Sequence, residues 1–318
     1  MKTGVNYPWT SFQGRSNYGC DFGANVWGSH TGVSAHPDEV ARDFDAIASM
    51  DFEVVRWFVF TDGRGGIRFD SERRPEGFAG GFIEDMDAVF EIASARNIAL
   101  CLVLFDYLWM NGATLEGSNY APVPEMLSSP EAQARLFGTV LDPFLDRYGA
   151  STALNSIDVI NEPDWVTEGL EFRRPWWQPS GSTRPFSKGE LRALVSGVAS
   201  RVHARSSALV TVGGARVKHA SEWDDAAYGL DFIQVHSYPD VRHPGRDRSL
   251  IGKPAADLGV SKPVLIGEFP ANGDRQHPED HHPPPFSASD YFDLARDGGY
   301  LGAWPWSFMG HDDFGGVS

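Results

Sequence analysis

Two glutamates stand where a chain could use them as a chemical pair. Asn161-Glu162-Pro163 and Gly267-Glu268-Phe269 each close a short apolar, β-branched run. A polar residue that ends such a run sits at the carboxyl end of a strand, which is where a closed α/β cylinder carries its chemistry. Two carboxyl groups facing each other across a sugar-sized gap perform acetal chemistry. One protonates the oxygen that leaves, and the other attacks the carbon from the opposite face. Carboxyls about 5 Å apart retain configuration at that carbon, and a gap of roughly 6.5–9.5 Å inverts it.

The elements that must hold such a pair recur along the whole chain. Short apolar runs fall at 4–7, 53–58, 98–105, 157–161, 209–213, 232–236, 263–268 and 300–304. Stretches of helical periodicity separate them, and this alternation predicts parallel strands with crossover helices. His36-Pro37-Asp38-Glu39 opens one helix, with Val40, Phe44 and Ile47 on its inner face. A second is predicted at 83–96, and Ser129-Pro130-Glu131 starts a third. Ser187 with Glu190, and Ser287 with Asp290, have the three-residue spacing of capping boxes. The sixth interval is too short for a firm helix. Eight units without linker or repeat predict one (β/α)8 TIM barrel over residues 1–318, a single catalytic domain. Long loops are expected at 172–186 and 277–286, after strands four and seven, and only a dozen residues follow Trp306, too few for a full eighth helix. Asp51, at a helix-to-strand turn, is expected in the left-handed conformation.

Composition narrows the partners. The 318 residues carry 27 Lys and Arg against 43 Asp and Glu, a formal charge of −16, which repels phosphate backbones and anionic membrane surfaces. No apolar run approaches the roughly 20 residues of a membrane helix. Nucleic acid and membrane are therefore not expected as partners. Cys20 and Cys101 are the only cysteines, and Cys101 lies in an apolar run, so no disulfide framework is expected. Met1-Lys2-Thr3 leads directly into strand-like sequence with no cleavable signal, which reads as a cytoplasmic chain or one already trimmed.

These motifs resemble those of the clan A glycoside hydrolases, the 4/7 superfamily, and most closely glycoside hydrolase family 5, the cellulase and mannanase family. The resemblance spans all eight strands and is carried by Asn161-Glu162-Pro163, His236-Ser237-Tyr238, Gly267-Glu268 and Trp306-Ser307. It implies that Glu162 is the general acid/base and Glu268 the nucleophile. It further implies that Arg56 and Tyr238 hold the nucleophile, that Asn161 binds the sugar 2-hydroxyl, that His236 lies beside the acid/base and that Trp306 floors the sugar site. In those places Arg56 and Tyr238 are expected to depress the pKa of Glu268. Aromatic walls and a neighbouring negative charge would favour the protonated form of Glu162. Where family members commonly carry a histidine after strand three, this chain has Phe105-Asp106-Tyr107, so Asp106 is read as a replacement hydroxyl acceptor. Asn6, closing strand one, is read either as a sugar contact or as a buried structural asparagine.

Tryptophans supply the second signal. Trp109, Trp165, Trp176, Trp177, Trp304 and Trp306 fall at or after strand ends, where a flat ring can cover the apolar face of a pyranose. Trp57 and Trp304, inside strands, are expected in the core; Trp176 and Trp177 are expected at a sugar or in lid packing. His277, Asp280, His281 and His282 lack a regular ligand spacing and precede Pro283-Pro284-Pro285, so they are read as a solvated loop and no metal is expected. Gly63-Arg64-Gly65-Gly66 lacks the Lys-Ser/Thr of a phosphate loop. The reading is a cofactor-free, retaining β-glycoside hydrolase with a carbohydrate substrate, a gluco- or manno-configured glycan or oligosaccharide. Left open are β-xylosidase or arabinofuranosidase activity, transglycosylation, and a non-catalytic carbohydrate-binding barrel.

Overall fold

The computed structural model describes residues 3–12, 15–111, 124–172, 184–238, 253–273, 286–310 and 315–317. Eight parallel strands form one sheet in sequential order: β1 (Gly4–Asn6), β2 (Val54–Phe58), β3 (Ala99–Asp106), β4 (Leu154–Asn161), β5 (Leu209–Gly214), β6 (Ile233–His236), β7 (Val264–Pro270) and β8 (Ala303–Trp306). Each matches one of the apolar runs to within a few residues. The last seam closes through side-chain and backbone bonds. Asn6 Nδ2 donates to the carbonyls of Gly267, Trp304 and Pro305 at 2.9, 3.2 and 3.2 Å, and the Phe308 amide donates to the Asn6 carbonyl at 2.8 Å. The chain is a (β/α)8 TIM barrel.

The helices form close to where the sequence pattern places them. α1 (Pro37–Ser49) buries Val40, Phe44 and Ile47, and α2 (Phe82–Ala95) buries Met86, Val89 and Phe90 against the outer strand faces. α3 runs from 130 to 148 with a wide turn at Phe137–Leu141, just before Pro143, which has no amide hydrogen to return to the previous turn. α4 (Lys188–Arg205) and α5 (Ala288–Asp297) both begin with complete capping boxes, on Ser187 and Ser287. The sixth interval holds only the single turn Ala255–Leu258 among the described residues. No described helix follows β8. Gly315–Val317 instead folds back, with the Val317 amide on the Ser307 carbonyl at 3.3 Å. Asp51 is left-handed, at φ 61°.

Two hairpins were not legible in advance: Ser11–Phe12 with Arg15–Ser16 after β1, and Ile67–Phe69 with Pro75–Phe78 after β2. Most of the two loops expected to be long, after β4 and β7, lies outside the described residues.

The barrel interior is layered. Val54, Cys101, Phe232, Leu265 and Trp304 make an apolar plug at its base. Arg56, Asp158 and Gln234, all fully buried, form a polar layer above it, and the two glutamates stand at the mouth. Both cysteines are free and buried, and burial pushes the Cys101 thiol up to about 12.

Candidate active site

Strict strand alternation would not bring the two glutamates and their supports to the same face. On β4, Asp158 points inward, Val159 and Ile160 pack outward in the core, and Asn161 points inward again. The pairing of β4 with β5 is irregular between Asp158 and Asn161, and this extra residue resets the phase. β7 repeats the device: Ile266 and Phe269 face the outer core, while Glu268 turns in where the register with β6 and β8 shifts. Glu162 follows with φ 50° and ψ 44°, a left-handed conformation costly for a side chain preceding proline, held by its amide bond to the Gly213 carbonyl at 2.7 Å. One carboxylate oxygen from each glutamate and one ring nitrogen of His236 all lie within 4.8 Å of one another.

Arg56 is the hub. Its side chain is fully buried and all five guanidinium hydrogens are taken. Nε and Nη2 donate to Asp158 Oδ2 at 3.0 and 2.8 Å, and Nη2 also to Asn161 Oδ1 at 2.8 Å. Nη1 donates to Asn6 Oδ1 at 2.9 Å and to Glu268 Oε1 at 2.6 Å. Tyr238 donates to the other oxygen of Glu268 at 2.8 Å. Burial nevertheless pushes the Glu268 carboxyl above its ordinary range, outweighing the downward pull of His236, Arg56 and Tyr238, while Glu162 adds to the rise. This corrects the sequence expectation of a depressed value. The guanidinium is shared with Asp158, so it does not offset the desolvation of Glu268 alone.

Glu162 has partners on both oxygens: Trp165 Nε1 donates to Oε2 at 2.8 Å, and His236 Nδ1 lies 3.0 Å from Oε1. Burial pulls His236 down to about 4, so its ring is neutral near pH 7. Nδ1 faces carboxylate oxygens of both Glu162 and Glu268, at 3.0 and 3.5 Å, and is therefore the nitrogen assigned the hydrogen. Asp106 accepts from Asn161 Nδ2 and from the Leu108 amide, both at 2.9 Å, and burial raises its carboxyl to about 7. Asn161 is thus clamped between an acceptor and the guanidinium, with its amide orientation fixed.

A cavity of about 420 Å³ opens over this cluster. Trp306 lines one side, edge-on to Trp9 and Phe58 with centroids 5.9 Å away in each case, and Trp165 lines the other. Asn6 is buried and tied to three carbonyls and Arg56, which selects the structural reading over a sugar contact. Trp57 and Trp304 are core residues as expected, but so is Trp109, fully buried against Phe105 and away from the cavity. The short helical turn after β3 sets its ring edge-on to Phe105, 5.4 Å between centroids, correcting the expectation of a sugar contact. Trp176, Trp177, His277, Asp280, His281 and His282 lie outside the described residues. Asp158, Gln234, Trp9, Tyr18 and Arg216 went unrecognised in the sequence. Asp158 is a charged residue in mid-strand, but nothing local identifies Arg56 as its partner. Glu162, His236 and Glu268 are also a donor set for a cation, yet Arg56 and Tyr238 already occupy both oxygens of Glu268.

No family model matches the chain. It is 27% identical over 333 aligned residues to a mannan endo-1,4-beta-mannosidase of Mytilus edulis, across 96% of this chain and 83% of that protein. A second such enzyme, from Cryptopygus antarcticus, is 23% identical across 98% and 81%. Among solved structures, an endo-1,4-beta-mannanase from Eisenia fetida superposes with a TM-score of 0.75 at 20% identity, covering 99% of this chain and 86% of that one. The beta-mannanase of Mytilus edulis gives 0.72 at 21%, covering 100% and 94%. The likeness in sequence to these mannosidases and the shared barrel extend over nearly the whole chain, which is a glycoside hydrolase.

Proposed function

We propose that the chain hydrolyses β-1,4-linked mannosides with retention of configuration, with Glu268 as nucleophile and Glu162 as acid/base. The observation that carries this reading is the approach of the two carboxylates to within 4.8 Å at the mouth of one cavity. That separation suits direct attack on the sugar and leaves no room for the water an inverting enzyme places between them. Glu162 gives its proton to the leaving oxygen as Glu268 bonds to the anomeric carbon. The glycosyl ester removes the negative charge from Glu268, and Glu162, now anionic, takes a proton from water as that water displaces Glu268. One acid, one nucleophile and water balance the reaction, so no cofactor is required. The mannan relatives support manno-configured sugars, and Asn161, fixed by Arg56 and Asp106, is positioned for the 2-hydroxyl whose orientation distinguishes mannose from glucose.

The test is a panel of aryl β-glycosides with variants at each carboxyl. Glu268→Ala should abolish turnover, and added azide should restore it with an inverted glycosyl azide product. Glu162→Ala should lose about 10²–10⁴-fold with poor leaving groups and much less with activated ones. Equal losses across leaving groups contradict the acid role. Release of xylose or arabinose rather than mannose from the panel moves the enzyme to another specificity, transfer to an added sugar makes it a transglycosylase, and binding without release makes it a lectin-like barrel.

A further inference from the structure

Trp165 holds Glu162 at two places. Glu162, left-handed in its backbone, is followed by Pro163, and the chain turns at once into the short helical turn Pro163–Val166. Within that turn the Trp165 amide donates to the Glu162 carbonyl at 3.2 Å, and the Trp165 indole Nε1 donates to Glu162 Oε2 at 2.8 Å. One residue therefore fixes both the backbone and the carboxylate of the same glutamate.

The turn is rigid because its neighbours are buried and bonded. Thr167 Oγ1 donates to the Pro163 carbonyl at 2.7 Å, closing the turn on itself. Asp164 Oδ2 accepts the Ala215 amide at 2.8 Å, which ties the turn to the end of β5, and the Phe186 amide donates to the Val166 carbonyl at 2.8 Å. Pro163, Asp164, Val166 and Thr167 are all buried. The Arg216 guanidinium, itself only 6% exposed, lies 5.9 Å from the Trp165 ring centroid. The indole donor is thus aimed before any substrate arrives.

A neutral N–H favours the ionised form of the carboxyl it faces. In the proposed reaction Glu162 becomes ionised as its proton passes to the leaving oxygen, and stays so until water gives up a proton. His236 Nδ1 faces Oε1 and Trp165 Nε1 faces Oε2, so each oxygen has a donor in place as the charge develops. We propose that Trp165 is a positioning residue: it acts on the reaction through Glu162, stabilising the carboxylate that proton transfer leaves behind, and not by covering a sugar with its ring. The inference rests on the proposed hydrolase reading.

Trp165→Phe keeps a flat ring and removes the N–H. The experiment measures kcat/KM for mannohexaose, whose leaving group needs a proton, and for a dinitrophenyl β-mannoside, whose leaving group does not. The variant should lose about ten- to a hundredfold on the first and less than about threefold on the second. The lost bond favoured the ionised form, so its removal raises the pKa of Glu162. The basic limb of kcat/KM, which needs Glu162 protonated, should then move to higher pH. On a Glu162→Ala background the loss should vanish, leaving the double and single variants equally slow on mannohexaose to within about twofold. Equal losses on the two substrates, or a loss that persists without Glu162, assign the ring to sugar contact and overturn the proposal, as does parent-like activity. Poor folding of the variant scales the rate at every pH without moving the limb, so an unmoved limb overturns the proposal in that case too. A parent that cleaves neither substrate removes the hydrolase reading; a parent that cleaves both, with a limb unmoved in Trp165→Phe, removes the role of Trp165 alone.

Discussion

At the scale of single residues, the site is organised by competition for one guanidinium. Arg56 serves Glu268 and Asp158 at once, so burial decides the direction of the Glu268 shift. On the proposed reading Glu268 attacks the sugar and must be ionised to do so. A carboxyl held above its ordinary range becomes active only as pH rises past that higher value, which places the acid limb of kcat/KM above the usual glutamate range. Removing the Tyr238 donor takes a bond from the ionised form, raises the pKa further and moves the limb to higher pH. Tyr238→Phe should show that displacement in a pH–rate profile, with kcat/KM at neutral pH lower by roughly ten- to hundredfold. A limb that stays in place or moves toward acid would separate Tyr238 from the titration of Glu268. The residue types at the mouth were legible from the sequence: Glu162, Glu268, His236 and Tyr238 all close apolar runs. Asp158 was not, because its partner Arg56 is 102 positions away and no local pattern connects them.

At the scale of elements, the bulges near the ends of β4 and β7 do what alternation cannot, turning Asn161 and Glu268 inward beside neighbours of opposite phase. The end of β5 contributes by having no side chain. A Cβ on Gly213 would stand 2.9 Å from Arg56 Nη2 and 3.0 Å from both Asp158 Oδ2 and His236 Nε2. All three are buried and cannot move aside cheaply. Gly213→Ala should therefore lower kcat by at least about tenfold in a protein that still folds, as judged by thermal melting together with steady-state kinetics. A fully active variant would mean that this layer is softer than its packing implies. The helix starts make a milder prediction. Ser187→Ala removes the acceptor for the Glu190 amide and one half of a capping box, costing about 1 kcal/mol, readable as a small drop in the unfolding midpoint with activity retained.

At the scale of the whole molecule, buried carboxyls set the dependence of stability on pH. Burial raises Asp106 and Asp164 to about 7 and Asp21 to about 6, against ordinary values near 3.8. A raised acid contributes stability that is complete below its unfolded value and is lost as pH climbs through the folded one. His236 acts in the other sense: held down to about 4, it contributes above pH 6.5 and loses that contribution as pH falls toward 4. Between pH 8 and pH 6 the carboxyls dominate, and protonation also relieves part of the −16 formal charge. The melting temperature should be higher at pH 6 than at pH 8, and Asp164→Asn should flatten the difference. A midpoint that falls from pH 8 to pH 6 would contradict the sign of these shifts.

By itself the sequence determined the eight-unit order, the capped helix starts and the two strand-end glutamates. These follow from hydrophobic period and local hydrogen bonding, which act over a few residues and are written along the chain. Only the tertiary structure decided that Asn6 seals a seam, that Trp109 faces the core, and that Asp158 shares the Arg56 guanidinium from 102 positions away. Such pairings depend on where strands lie around a closed cylinder and on single-residue bulges that invert their phase. Desolvation likewise exists only once a group is enclosed, which is why the shift at Glu268 ran against the charges its neighbours supply.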